Sequence, residues 1–232
     1  MKNKNRNFQA VKLPIIEKRI VASNTMEVSF GLNGQNFPFA AGQYVKITIP
    51  ELIYPDQTGN SRLFSIASSP NEKARLRIVF RNSGSGFKKT LTELPAESLV
   101  EIQGPYGLFA LPKEKNQSIV FVTGGVGIAP CLSMIKFSIE EKLNNQICLL
   151  YGNYKEEDAA YLEDLTILEK QNPNFSLKNK FGLIDQDFIK SAVSSLDNKL
   201  WYVVGPPPMV EAVKNILDSL GVKKDKVRLE NF

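Results

Sequence analysis

Along residues 9–112 apolar and polar positions alternate in short bursts. VKLPIIEKRIVA (11–22), TMEVSFGL (25–32), YVKITIP (44–50), RLFSIAS (62–68), RLRIVFR (75–81) and SLVEIQG (98–104) are β-branched or alternating segments. Gly, Pro, Asn and Asp clusters separate them, which predicts strands joined by turns. About six strands at this spacing predict an antiparallel β-barrel or sandwich. One helical stretch interrupts them, GFKKTLTEL at 86–94, where Leu91 and Leu94 share a face.

After LPKEKNQ the rhythm changes. SIVFVTGG (118–125) is a nearly continuous apolar strand, and a helical pattern follows to about residue 142. Then come QICLLYG, a helix over 157–171, FSLKN, a helix over 185–195, LWYVVG, a helix over 207–220, and KVRLE. Strands alternating with helices of this length predict βαβ units around a buried parallel sheet. The chain therefore divides into a β-barrel, residues 1–113, and a doubly wound α/β domain, residues 114–232. The boundary falls in the polar, proline-bearing stretch at 112–117.

Composition narrows the chemistry. A hydrophobic share of 43% and a charged share of 23% describe a globular chain. No apolar run approaches the roughly 18 residues of a membrane span. The start, MKNKNRNFQAVK, lacks the apolar segment of a secretory signal, so a cytoplasmic location is expected. Cys131 and Cys148 have no CxxC spacing, and two thiols cannot supply an iron–sulfur cluster or a closed zinc site. No metal centre is expected. The chain has no histidine, which excludes Ser-His-Asp and Cys-His catalysis. The net charge of +5 suits an acidic partner, although Lys2, Lys4, Arg6 and Lys12 concentrate part of it in a tail. No zinc-finger or RNP-type signature accompanies it, and nucleic-acid binding is not expected.

TGGVGIAP (123–130) is the most specific local signal. A strand ends at Thr123, glycines occupy 124, 125 and 127, and a helix begins through Ile128 to Pro130. Such a turn lets a pyrophosphate approach the backbone at a helix N-terminus. The spacing is GxGxxP rather than GxGxxG, and taken alone it is equally a tight structural connection. GPPPMV (205–210) repeats the design after the fourth parallel strand, with Gly205, Pro206 and Met209 at its turn; by itself it is also a proline-stiffened helix start. The second strand ends Tyr151-Gly152-Asn153-Tyr154-Lys155, without the acid that would bind a ribose 2′-hydroxyl. With Lys178 and Lys180 near, Tyr154 and Lys155 lean toward a 2′-phosphate, hence NADPH over NADH. In RLFSIASSP (62–70), alternation places Arg62 and Phe64 on one face and Ser65 on the other.

On these residues the chain resembles the ferredoxin–NADP reductase family of flavoprotein oxidoreductases over nearly its whole length. RLFSIASSP resembles the family's Arg-x-Tyr-Ser flavin motif. AGQYVKI and GPYGLFALP resemble its barrel landmarks, TGGVGIAP and GPPPM its nucleotide segments, and Glu230-Asn231-Phe232 its acidic-x-aromatic segment. The resemblance implies FAD and either NADPH or NADH as cofactors. It implies that Arg62 contacts the flavin pyrophosphate, with Leu63 beside it in the motif. Phe64 stacks on the isoalloxazine in place of the usual tyrosine, and Ser65 lies near flavin N5, which requires the chain to bend there. Val79 and Phe80 border the ring. GSGFKK (84–89), through Gly86, Phe87 and Lys88, holds the phosphates. Phe232 covers the other flavin face, and Glu230 tunes the N5 region or relays a proton. Val204 stands where plant-type members carry a cysteine. The implied reaction passes a hydride from nicotinamide C4 to flavin N5, then single electrons to an acidic ferredoxin or flavodoxin. That reaction needs no imidazole. Two other readings stay open: an electron-transfer subunit of a larger complex, and a non-catalytic nucleotide-binding module.

Overall fold

The computed structural model describes residues 10–112, 114 and 116–232. Lys2, Lys4 and Arg6 of the basic tail, and Lys113 at the expected boundary, lie outside the described residues.

The first six strands are β1 (Val11–Ala22), β2 (Thr25–Gly31), β3 (Tyr44–Thr48), β4 (Ser61–Ser65), β5 (Arg75–Arg81) and β6 (Leu99–Tyr106), with helix α1 (Gly86–Glu93) between the last two. They form one antiparallel sheet in the order β4-β3-β6-β1-β2-β5. The sheet curls until its two margins meet at an isolated bridge between Ile66 and Ile78, so it is barrel-like without being closed. Alternation decides its inside: Val45 and Ile47 of β3 are buried while Tyr44, Lys46 and Thr48 between them are half-buried. Phe30, Phe64, Phe80 and Phe87 fill the interior with them.

The second sheet contains β7 (Ser118–Gly124), β8 (Gln146–Asn153), β9 (Phe175–Phe181), β10 (Lys199–Gly205) and β11 (Val227–Asn231). All are parallel, in the order β11-β10-β7-β8-β9. Helices α2 (Ile128–Glu140), α3 (Leu162–Gln171), α4 (Gln186–Ala192) and α5 (Pro207–Ser219) connect them. Phe121, Leu149 and Tyr151 face α2 and α3. On the other face Val120, Val122 and Trp201 meet Ile189 of α4 and Val213 and Leu217 of α5. The chain leaves β7 toward β8 on one side and returns to β10 on the other, so the carboxyl ends of β7 and β10 form the switch point where such sheets bind ligands.

Two helices are shorter than the pattern predicts. The helix expected over 157–171 begins only at Leu162, after a 3₁₀ turn at Glu156–Asp158. Tyr161 adopts φ 61°, which no helix tolerates, and its hydroxyl donates to Glu27 Oε2 of the barrel at 2.6 Å. A tertiary contact has overridden local propensity. The helix expected over 185–195 runs from Gln186, capped by the Asp185 side chain, to Ala192, because Val193 turns extended and is buried.

That Tyr161–Glu27 bond belongs to a set of cross-sheet ties. Ser133 Oγ donates to the Ser68 carbonyl at 2.7 Å, Tyr202 Oη to the Ala110 carbonyl at 2.8 Å, and the Ser23 N–H to the Glu157 carbonyl at 2.7 Å. Glu27, buried, also receives Arg77 Nη1 at 3.4 Å and Arg19 Nη2 at 3.2 Å, and Arg77 pairs further with Glu72. The carboxylates hold the half-buried Arg77 guanidinium above its ordinary range even though burial opposes its charge. Burial, then the Glu27 carboxylate, pushes the Tyr161 phenol far above its usual range, so it stays a donor.

Candidate functional site

Between the two sheets runs a groove of about 800 Å³, within the roughly 300–1,000 Å³ common for small-molecule sites. The barrel contributes Tyr44, Thr58, Arg62, Leu63, Phe64, Ser65, Val79, Phe80, Arg81, Ser83, Ser85 and Lys88. The α/β half contributes Val126, Ala129, Leu229, Glu230, Asn231 and Phe232. A smaller cavity of about 240 Å³ lies at the opposite, amino end of the parallel strands, near Ile119, Gln146, Phe175 and Lys199. Strand-end chemistry does not operate there.

One end of the groove is cationic. In register, Phe64 sits opposite Val45 and Arg62 opposite Ile47, both inward positions, while Ser65 and Leu63 oppose outward Tyr44 and Lys46. The Arg62 guanidinium lies 5.2 Å from the Phe87 ring centre and 2.6 Å from Asp56 Oδ1. Its other donors go to the carbonyls of Thr58, Gly59 and Ser61 and to the Thr58 hydroxyl. Asp56 accepts in addition the Phe87 N–H at 2.8 Å and the Thr58 N–H at 3.0 Å. These bonds, the Phe87 amide foremost, hold its carboxyl well below the usual range. An expected phosphate donor, the Phe87 amide, is thus already committed to Asp56, and the Lys88 N–H points at its cap, Ser85 Oγ. The side chains left facing the groove are Arg62, Lys88, Thr58, Ser83 and Ser85. Burial, then the Arg62 charge, lowers the Lys88 ammonium, so the two cations stand close enough to sense each other. Asp56 already answers Arg62, while among the described residues no carboxylate pairs with Lys88, so an anion entering the groove would meet a positive charge not yet balanced.

The middle of the groove is apolar. Val79 and Phe80 form part of its wall from β5. The Phe64 ring packs at 5.7 Å from Phe80 and 5.9 Å from Phe87, leaving it 7% exposed. It is a core aromatic whose margin reaches the groove, more enclosed than a fully presented stacking face. Leu63, by contrast, is 62% exposed. The bend required at Ser65 is present: the Ile66 N–H still bonds to Gln43, but Ile66 bridges to Ile78 and the Ala67 N–H bonds to Arg77. The chain changes partner strands there, and Ser65 lines the groove together with Arg62 and Phe64 despite its opposite facing.

At the far side the end of β11 enters the groove through Leu229, Glu230, Asn231 and an exposed Phe232. Glu230 lies opposite Val204 in register. Its Oε2 is buried without a hydrogen-bond partner, and burial pushes its carboxyl up to about 7. A buried carboxyl without a partner, facing a cavity, is a candidate for chemistry. Because burial disfavours the anion, its contribution to stability is fully present below the unfolded value of 4.5 and is lost as pH rises through about 7. Glu230→Gln should therefore gain stability relative to the parent as pH rises from 4.5 to 7, read as the difference in their thermal midpoints.

The glycine turn sits beside this end. Gly125 has φ +55°, and a β-carbon at Gly127 would lie 2.5 Å from Thr123 Oγ1 and 2.7 Å from the Val204 carbonyl, so only glycine lets α2 approach β7 and β10. Thr123 Oγ1 donates to that Val204 carbonyl at 2.9 Å. Ile128 opens α2 and Pro130 stands in its first turn, where a missing N–H is harmless. Gly205 ends β10, Pro206 caps α5, and the Met209 sulfur lies against both Gly124 and Gly205, filling the space between the two turns. Tyr154 and Lys155 follow β8, exposed and outside the groove lining.

Three contributors escape sequence reading. Asp56 anchors Arg62. The Asn153 Oδ1 accepts the Gly125 N–H at 3.1 Å, fixing the turn. Arg81, at the end of β5, places Nη2 3.8 Å from where a Gly125 β-carbon would lie, and among the described residues no carboxylate pairs with it. Their signal is spatial: each meets a partner at least 28 residues away.

An apolar wall, a cationic end and a lone carboxyl fit a phosphate-bearing flavin, and the glycine turn fits a dinucleotide. Comparison with known proteins agrees. Residues 12–111 match the oxidoreductase FAD-binding domain and residues 121–215 the oxidoreductase NAD-binding domain. The chain is 28% identical over 207 residues to the electron transfer component of anthranilate 1,2-dioxygenase from Acinetobacter baylyi, covering 84% of this chain and 58% of that protein. It is 26% identical to the reductase component of phenol 2-monooxygenase from a Pseudomonas species, covering 94% of this chain and 66% of the relative. It thus spans about three-fifths of these relatives' length. The fold superposes on ferredoxin–NADP⁺ reductase from Plasmodium falciparum with a TM-score of 0.81 at 23% identity, covering 99% and 100% of the two chains. With a FAD-binding barrel joined to an NAD-binding parallel sheet in this order, the chain belongs to the ferredoxin–NADP reductase family of flavoprotein oxidoreductases.

Proposed function

We propose that this chain oxidises a reduced nicotinamide dinucleotide and passes the electrons through FAD to a small redox protein. Residues 1–113 would form the flavin domain and 114–232 the nucleotide domain. The observation that carries the reading is the convergence on one groove of the Arg62–Lys88 pair, the Phe80–Val79 wall, Val126 of the glycine turn and the Glu230 carboxyl. The bound flavin supplies hydride acceptance and single-electron release.

The chain's residues divide the remaining work. Arg62 and Lys88 attract the phosphates, Ser83 and Ser85 add hydroxyls, and Val79, Phe80 and Phe64 exclude water from one side of the ring. Ser65 orients the ring edge by hydrogen bonding. Glu230 holds a proton below about pH 7 and is an anion above it. Phe232, exposed at the far side of the groove, would cover the flavin there and would have to yield for a nicotinamide to stack. Arg81 bridges from the flavin wall to the glycine turn. The acceptor is an acidic ferredoxin or flavodoxin, consistent with the net charge of +5. The relatives' names support a second reading, an oxygenase component as the electron acceptor.

Purified protein should be yellow, and anaerobic addition of a reduced nicotinamide dinucleotide should bleach it; colourless protein that takes up no FAD would sink the proposal. Ser65→Ala should slow flavin reduction by about tenfold or more with FAD still bound. Stopped-flow rates equal to the parent's would remove Ser65 from the reaction.

A further inference from the structure

The carboxyl ends of β8 and β9 carry charges that bear on which dinucleotide the site takes. In a doubly wound sheet whose glycine turn follows β7, the adenosine ribose is met at the end of the next strand, β8. NADPH differs from NADH there by a 2′-phosphate of nearly two negative charges, and a site that accepts it must offer uncommitted cations. Lys155, Lys178 and Lys180 are the sequence's candidates.

Two of the three are paired in the folded chain, and the third is displaced from the strand end. Lys155 Nζ lies 3.4 Å from Glu157 Oε1. Lys180 Nζ lies 2.5 Å from Asp185 Oδ2 and 5.3 Å from the Phe188 ring centre. Lys178 stands mid-strand opposite Leu150, where its charge acts on the Cys148 thiol instead of at the strand end. The turn directly after Lys155 is Glu156-Glu157-Asp158, and it is pinned in place by the Ser23 N–H on the Glu157 carbonyl and the Asp158 N–H on the Lys155 carbonyl. Around the two strand ends the chain sets Lys155 and Lys180 among four acids, Glu156, Glu157, Asp158 and Asp185, of which Glu157 and Asp185 pair with the lysines. The local balance is anionic. A 2′-phosphate would have to break two ion pairs and then lie beside the carboxylates it released, whereas a 2′-hydroxyl can donate to a carboxylate.

We infer that the site takes NADH and rejects NADPH, with Glu157 and Asp185 as the residues that set the choice. This runs opposite to the lean toward NADPH drawn from the lysines alone: two of them are paired and the third is displaced. The inference rests on the reductase reading above, and it is tested so that the two can fail separately.

The first readout is binding, which needs no turnover: calorimetric titration of the purified chain with ADP-ribose and with 2′-phospho-ADP-ribose. ADP-ribose should bind on the order of 30-fold more tightly, the scale of two screened charge–charge contacts. The second is anaerobic flavin bleaching with each dinucleotide, where kcat/KM for NADH should exceed that for NADPH by a similar factor. Glu157→Gln and Asp185→Asn each free a lysine, and the asparagine keeps a side-chain oxygen to cap α4. The double variant should close the binding gap by about tenfold or more. Equal or tighter binding of the phosphorylated ligand by the parent overturns the inference, as does a double variant with an unchanged ratio. If neither dinucleotide bleaches the flavin while ADP-ribose is still preferred, the reductase reading falls and the ribose selectivity stands.

Discussion

Replacing Glu27 by alanine should destabilise the fold by about 3 kcal/mol. Glu27 is 3% exposed, and its two oxygens receive Arg77, Arg19 and the Tyr161 hydroxyl. Removing it leaves the Arg77 cation half-buried with only Glu72 in reach, and leaves a buried phenol with no acceptor. Both penalties act on the folded state alone, because water solvates the same groups in the unfolded chain. Glu27→Gln keeps an acceptor for Tyr161 and should cost about half as much. Urea denaturation of the three proteins measures the difference. A loss below about 1 kcal/mol for alanine would show that solvent screens the cluster.

Arg62→Ala should weaken FAD binding on the order of 100-fold, about 2.7 kcal/mol, the scale of losing charge-assisted bonds to a phosphate. The arginine is held from behind by Asp56, by three carbonyls and by the Thr58 hydroxyl, so its orientation is fixed before any ligand arrives. Arg62→Lys keeps the charge but cannot satisfy that fork of acceptors, and should recover only part of the affinity. Fluorescence titrations with FAD and with riboflavin separate the causes. Riboflavin carries no phosphate, so its affinity should barely change; equal losses for both flavins would mean that Arg62 only supports the loop.

What the sequence makes legible depends on how local the physics is. Two-residue alternation and apolar runs are local, and they reveal every strand and the shared face of Arg62 and Phe64. The glycines of TGGVGIAP are legible for the same reason, since a close helix approach constrains the very residues that make it. Ser65 is harder, because its place in the groove follows from Ile66 pairing with Ile78 on another strand. Asp56 and Arg81 read as ordinary loop and strand-end charges until folding brings them to Phe87 and Gly125. Tyr161 shows the opposite failure, a residue inside a good helical pattern that a buried carboxylate pulls out of it. The lysines near β8 and β9 show a further limit: sequence reveals a charge but not its nearest counter-charge, here Glu157 for Lys155 and Asp185 for Lys180.

Trp201 gives the molecule an optical asymmetry. It is the sole tryptophan, fully buried on the α4–α5 face of β10, while the barrel's aromatic core is built from phenylalanines. Indole emission therefore reports on the parallel sheet alone, and a flavin in the groove would report, in the visible, on the junction between the sheets. Followed together through the Glu27 variants, the two colours distinguish a molecule that melts as one unit from one whose halves separate first. If the cross-sheet ties dominate, both signals will change at the same denaturant concentration in the parent. In Glu27→Ala the visible signal should then be lost before the indole shifts to the red.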